Sequence, residues 1–155
     1  WELDLVIGSN SEKDHVLMTL PERKTRYYKV IRLPDKSSQS VMNAFAALKS
    51  EYGKRFSTVF KTITTNNGSE FSRLAELELE SETKVYYAHP YSSYEKGSNE
   101  RHNGLLRHFF PKGRRIDSFS DEDVSDAENR INSMPGKLLQ YKTPKMLFRR
   151  ALSAL

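Results

Sequence analysis

The chain contains no cysteine, which excludes disulfides and every thiolate-ligated zinc or iron–sulfur centre. Its four histidines, His15, His89, His102 and His108, do not fall at a metal-ligand spacing, so any bound metal must be held by oxygen atoms. Long apolar runs are missing as well. No stretch of eighteen apolar residues occurs, and the opening Trp1-Glu-Leu-Asp-Leu carries neither a basic leader nor a small-residue cleavage site. A membrane span and a signal peptide are therefore not expected, and the reading is of a cytosolic protein. No internal repeat or low-complexity linker interrupts the 155 residues, whose 37% hydrophobic content suits one core and one domain over 1–155. A start on Trp1, already inside a strand-like pattern, points to a fragment of a longer protein.

Positive charge is in modest excess. The net charge of +5 favours an anionic partner. The distribution says more than the total. Between positions 96 and 115 stand Lys96, Arg101, Arg107, Lys112, Arg114 and Arg115 against the single acid Glu100, whereas 76–82 and 121–128 are acidic. The expectation is a basic, phosphate-tracking surface on one side and an acidic one opposite.

Hydrophobic periodicity organises the chain as β-β-β-α-β-α-β-α-α-α. Trp1, Leu3, Leu5 and Ile7 alternate with Glu2, Asp4 and Val6, the period of a strand buried on one side with Asp4 on the other. The runs 15–20 and 26–33 follow through short polar links, as antiparallel hairpins do. Ser37 or Ser38 caps a helix in which Val41, Ala44, Phe45, Leu48 and Tyr52 recur at helical spacing up to Gly53. A strand over 58–65 then delivers Asn66-Asn67-Gly68 at its carboxyl end. A short helix over 71–79, a last strand over 84–88, a loop from His89 to Tyr94 and a helix over 99–110 come next. Ser120 and Asp123 form a capping box for a helix carrying Val124, Ala127, Ile131 and Met134, and Thr143-Pro144 opens the final one. The pattern fits an α/β fold with a mixed five-stranded sheet, three antiparallel strands then two crossover strands, flanked by helices.

Magnesium and manganese prefer hard oxygen ligands, and two such ions stabilise both the attacking and leaving oxygens of an in-line phosphoryl displacement. That chemistry requires carboxylates from separate elements to meet. Asp4 on the first strand, position 66 ending the fourth and Glu100 on a helix can converge if the first and fourth strands are neighbours. Singly, Asp4 fits a surface acid and Glu100 an ordinary first-turn acid suited to the helix dipole. His89 reads as loop packing. Tyr86, Tyr87, Tyr91 and Tyr94 read as core and loop packing, with base stacking by one of them as the alternative.

The blocks Trp1-Glu-Leu-Asp-Leu-Val-Ile-Gly8, Glu22-Arg-Lys-Thr-Arg26, Phe60-Lys-Thr-Ile-Thr-Thr-Asn-Asn-Gly-Ser-Glu-Phe71, Ala88-His-Pro-Tyr-Ser-Ser-Tyr94, Gly97-Ser-Asn-Glu-Arg-His-Asn-Gly104, Phe109-Phe-Pro-Lys-Gly113 and Tyr141-Lys-Thr-Pro144 span nearly the whole chain. Together they resemble the catalytic core of a DDE transposase of the bacterial insertion-sequence-thirty type, within the integrase-like branch of the ribonuclease-H-like fold. The 33 residues between position 66 and Glu100 match that family's spacing. The resemblance implies that Asp4, position 66 and Glu100 are the catalytic and metal-binding set, holding two Mg2+ or Mn2+ ions. It implies cleavage of transposon ends and 3′-hydroxyl attack on target DNA. It further implies a homodimer or higher assembly, a bacterial and nucleoid-associated setting, and an amino-terminal helix-turn-helix region outside this chain. Lys96, Asn99, Arg101, Asn103, Arg107, Lys112, Arg114 and Arg115 are the candidate DNA contacts. Two positions depart from the family. Leu3 replaces a usual glycine, a change expected to affect packing. Asn66 replaces the second aspartate, so the chain is expected to bind the metal pair poorly and to be inactive or nearly so. The alternative is a decayed core that serves as a DNA-binding or assembly module.

Overall fold

The computed structural model describes residues 1–89 and 97–155. Strands β1 (Asp4–Ile7), β2 (Val16–Pro21) and β3 (Tyr28–Leu33) form an antiparallel meander in which Asp4 lies opposite Thr19, and Thr19 opposite Val30. β4 (Thr62–Thr65) and β5 (Lys84–Tyr87) pair in parallel, with Thr64 opposite Tyr86. The residues ahead of β1 join the two sheets. The Leu3 amide donates to Thr64 O (2.8 Å), the Thr64 amide donates to Trp1 O (2.9 Å), and Glu2 and Thr64 form a parallel bridge. The strands therefore run β3-β2-β1-β4-β5, the mixed five-stranded sheet expected from the pattern.

Side-chain alternation gives the sheet two working faces. Leu3, Met18, Leu20 and Ile63 pack on one side with α1 (Ser38–Tyr52) and with Phe148 of α6 (Pro144–Ser153). Val6, Leu17, Tyr28 and Val30 pack on the other with Leu106 of α4 (Gly97–Leu106) and with Val124, Ala127 and Ile131 of α5 (Asp121–Asn132). The first strand is thus covered on both sides rather than one. A two-residue period shows a single apolar set there because the second set begins with the polar Glu2 and Asp4 and only Val6 is apolar. Glu2 is 2% exposed, and its carboxylate is satisfied by partners far away in the sequence.

Local chemistry explains most boundaries. The Ser37 hydroxyl accepts the Ser40 amide at the start of α1, the Ser120–Asp123 capping box is present on α5, and Thr143 caps α6 with Pro144 at its first turn. Other segments differ from the sequence reading. The strand expected over 58–65 is confined to Thr62–Thr65, because Phe56–Val59 forms a helical turn, α2. That turn sends Phe60 inward against Trp1, and the Trp1 indole N–H donates to Val59 O at 2.7 Å. These contacts outweigh the β preference of Thr58 and Val59. The helix expected over 71–79 is a 3-10 turn (Ser69–Phe71) and a short α3 (Glu76–Glu80). The helix expected over 99–110 runs from Gly97 to Leu106, and Met134 lies beyond the end of α5. The acidic run 121–128 also packs on the same side of the sheet as α4, not opposite it, since α4 and α5 share one apolar cluster.

Two features fix the loop between β1 and β2 against the segment after α4. The first is Gly8. The Gly113 amide donates to Gly8 O at 2.6 Å, and a Cβ on Gly8 would lie 2.1 Å from Arg114 O. Backbone cannot yield as a side chain can, so Gly8→Ala is expected to lower stability by about 1–3 kcal/mol in urea unfolding. The second is Asp14, whose carboxylate accepts the amides of Ile116 (2.9 Å) and Asp117 (3.0 Å) and the Ser9 hydroxyl (3.1 Å). Burial favours its neutral form, but these donors outweigh burial and hold the acid below the usual aspartate range. A depressed folded value gives stability that is present above the unfolded value, near about pH 4, and is lost as pH falls through the folded one. Asp14→Asn should therefore cost about 1 kcal/mol at neutral pH. The gap to the parent should narrow in unfolding curves taken at about pH 3.

Candidate active site

Asp4 opens β1, half-buried, with its Oδ1 accepting the Leu5 amide at 2.9 Å and its backbone oxygen accepting the Thr19 hydroxyl at 3.3 Å. Asn66 is the first residue past β4. Because Glu2 and Thr64 are bridged in parallel, two further residues along each chain bring Asp4 and Asn66 to neighbouring positions. Adjacent strands there are about 5 Å apart. The β1–β4 adjacency on which the sequence reading depended is therefore present. The Asn66 Oδ1 accepts the Gly68 amide at 2.8 Å, closing an Asx-type turn. With that oxygen directed into the turn, the NH2 group is the other end of the amide, and it is a donor that cannot ligate a cation.

Glu100 stands exposed in the first turn of α4. The helix is held by the opposite side of that turn. The Asn99 amide donates to Glu2 Oε2 at 2.7 Å, and Glu2 Oε1 accepts Arg23 Nε at 3.0 Å. The Thr19 hydroxyl, on the residue paired with Asp4, also lies 3.5 Å from Asn99 Oδ1. One turn on, the His102 ring packs on Tyr28 at 4.8 Å between centroids, with Nδ1 at 2.8 Å from Ser98 O and Nε2 at 3.0 Å from Arg26 O. Burial pulls the imidazole below the usual histidine range against those two carbonyl contacts, so the neutral ring is favoured.

Asn103 and Arg107 share the stripe of Glu100 at helical spacings of three and seven. The Asn103 Oδ1 accepts the Tyr28 hydroxyl at 2.8 Å. Burial first, and then the charge of Asp4, raise the Tyr28 phenol, whereas Arg107 opposes the shift. Asp4, Tyr28 and Arg107 therefore share one electrostatic neighbourhood, and the stripe bearing Glu100 meets the sheet beside Asp4.

The remaining candidate DNA contacts sit in different settings. Asn99 is 1% exposed and faces the sheet. Arg107 is half-buried, with a guanidinium N–H toward Phe110 O at 3.5 Å. Arg114 lies 4.9 Å from the Phe119 ring centroid, and Arg115 pairs with Asp117. Arg101 and Lys112 are exposed. Lys96 and the loop reading from Pro90 to Tyr94 lie outside the described residues.

The donor set does not fit a metal pair. Among the described residues, no three carboxylate, imidazole or thiolate groups converge to hold an ion. Asp4 and Glu100 supply two charges where a bridged pair of divalent ions needs a third carboxylate, and position 66 supplies none. Sequence reasoning missed Glu2, Thr19, Tyr28 and the arginines 23 and 26. The signal for Glu2 was available, since the alternation that sends Asp4 to one face sends Glu2 to the same one.

Known proteins can be set beside this geometry. No protein-family model matches the chain. A probable transposase for the insertion-like sequence element IS1161 of Streptococcus salivarius is 38% identical over 148 residues, 96% of this chain and 41% of that protein. The transposase InsI for insertion sequence element IS30A of Escherichia coli K12 is 34% identical over 157 residues, 99% of this chain and 38% of that protein. Over nearly its whole length the chain is similar to the IS30-type transposases. It spans about two fifths of the length of these curated relatives. Its fold is that of retroviral integrase catalytic cores, ribonuclease-H-like. The HTLV-2 integrase core, solved in complex with magnesium, superimposes with a TM-score of 0.66 at 18% identity, covering 94% of this chain and 93% of that one. No helix among the described residues is long and apolar enough to cross a membrane.

Proposed function

We propose that this IS30-type core handles DNA in transposition, that its parent cuts the element's ends and joins them to target DNA by 3′-hydroxyl attack, and that Asn66 leaves the present chain able to hold DNA but nearly or wholly unable to cut it. Supporting this reading is the parallel bridge that brings Asp4 and position 66 side by side, with the helix of Glu100 anchored next to them. In the active parent, Asp4, an aspartate at 66 and Glu100 would hold Mg2+ or Mn2+, which supplies Lewis-acid stabilisation of the oxygens at phosphorus. The residues of this chain do the rest. Asn103 and Tyr28 fix the helix stripe beside Asp4, and the cations Arg101, Lys112, Arg114 and Arg115 track phosphates. The assembly is a dimer or larger on DNA ends.

A binding or assembly module is the second reading, favoured by the uncharged amide at Asn66, whose oxygen is engaged by Gly68. Calorimetric titration of manganese into the chain, into Asn66→Asp and into Asn66→Asp with Glu100→Gln separates the two. A gain with aspartate that the glutamine removes supports the enzyme, and equal weak binding by all three supports the module.

A further inference from the structure

Two residues ahead of Asp4, an open groove of about 710 Å³ is bounded by Glu2, β4 and β5 on one side and by the first turn of α4 on the other. Its floor includes Glu2, Thr64 and Tyr86, which the strand register puts on the sheet face that also carries Asp4. Its walls carry Arg23, Arg26 and Arg101. Among the described residues, Glu2 is the only carboxylate lining it, and both of its oxygens are engaged, by Arg23 and by the Asn99 amide. Arg26 and Arg101 form no ion pair with any described residue. The described lining of the groove therefore carries an excess of positive charge.

Two features beyond charge are built into it. Tyr86 is 55% exposed despite lying on a strand, so a large aromatic surface is presented to the groove. Arg26 has φ 66°, a left-handed conformation uncommon outside glycine. It is held by its amide bonding to Glu22 O (2.9 Å) and by the His102 ring against its own carbonyl (3.0 Å). The volume suits one or two nucleotides and is too small for a duplex. Glu2 and Thr64 precede Asp4 and Asn66 by two residues, or about 7 Å along the strands. That distance is close to about two base steps of duplex rise.

We propose that this groove receives an unpaired stretch of the DNA strand that flanks the phosphate at the Asp4 site, with its phosphates on Arg26 and Arg101 and one base stacked on Tyr86. The inference deepens the proposed function and rests on it. It assigns the groove to single-stranded DNA next to the reacting position, leaving the outlying cations at 112–115 to duplex.

Because the chain as written is expected not to cut, binding can be read directly by fluorescence anisotropy. The probes are a fluorescein-labelled duplex and the same duplex with one end frayed by mismatches. The unaltered chain should prefer the frayed probe. Tyr86→Ala should lose that preference, weakening frayed-end binding about tenfold while duplex binding is unchanged, and Tyr86→Phe should keep it. Arg26→Gly, which suits the left-handed backbone, and Arg101→Ala should each reduce the salt slope on the frayed probe by about one phosphate contact. Tyr86 is exposed, so its variants keep the fold, and a melting curve checks this. Equal affinity for both probes, or groove variants that bind the frayed end as the parent does, overturns the inference while leaving the transposase reading intact. Failure of the unaltered chain to bind either probe overturns both.

Discussion

Asn66→Asp should bind manganese at least about a hundredfold more tightly than the unaltered chain, a change of about 3 kcal/mol. The expectation follows from the turn that holds the residue. The Oδ1 at position 66 accepts the Gly68 amide, and an aspartate makes the same bond with one oxygen while presenting the other. The substitution thus replaces an NH2 donor with an anionic oxygen next to the Asp4 position, without rebuilding the backbone. A full charge within about 4 Å of a cation contributes several kcal/mol at the effective dielectric of a protein surface, ample for the expected change. Glu100→Gln in the restored background should return affinity close to that of the unaltered chain. Melting temperatures of the two chains should agree without metal, because the Asx turn survives. An unchanged titration on restoring the aspartate would remove the metal-site reading of these three positions.

How far the sequence reached depended on whether a feature was local. Caps were legible because their partners are three residues away, and the Ser120–Asp123 box and the Thr143-Pro144 start both appear. The alternation at 1–7 showed a strand, and convergence of Asp4, position 66 and Glu100 required the first and fourth strands to be neighbours, as they are. What lay beyond reach was tertiary. The β preference of Thr58 and Val59 gave way to Phe60 packing on Trp1, and no local pattern contains that contact. Tyr28 read as one more residue of a β-rich run, yet it meets Asn103 across 75 positions and stands in the field of Asp4. The sequence reading put Asn99 on the same helical side as Glu100, with Asn103 and Arg107, but Asn99 immediately precedes Glu100. On a helix, that neighbour is turned about 100° away, here onto the sheet.

Glu2 carries the second large expectation, because it is a buried acid joining three elements. One carboxylate oxygen takes the Asn99 amide of α4, the other takes Arg23 of the β2–β3 turn, and its own backbone is in the sheet through Pro21 and Thr64. Arg23 is half exposed and regains water, but removing the buried carboxylate leaves the Asn99 amide unpaired in the interior and opens a void, so Glu2→Ala should lower unfolding free energy by about 3 kcal/mol. Glu2→Gln keeps an acceptor for the Asn99 amide but loses the charge opposite Arg23, and should cost about 1 kcal/mol. Stability alone would not tell an anchor of α4 from any other buried group. In the Asn66→Asp background, Glu2→Gln should also weaken manganese binding and speed hydrogen exchange of the α4 amides. A Gly8→Ala control, whose contacts are with Gly113, Arg114 and Ile116 and not with the first turn of α4, should do neither. If Glu2→Ala melts as the parent does, or if exchange in α4 is unaltered, Glu2 does not set the position of Glu100, and that helix turn must be held by its apolar contacts alone.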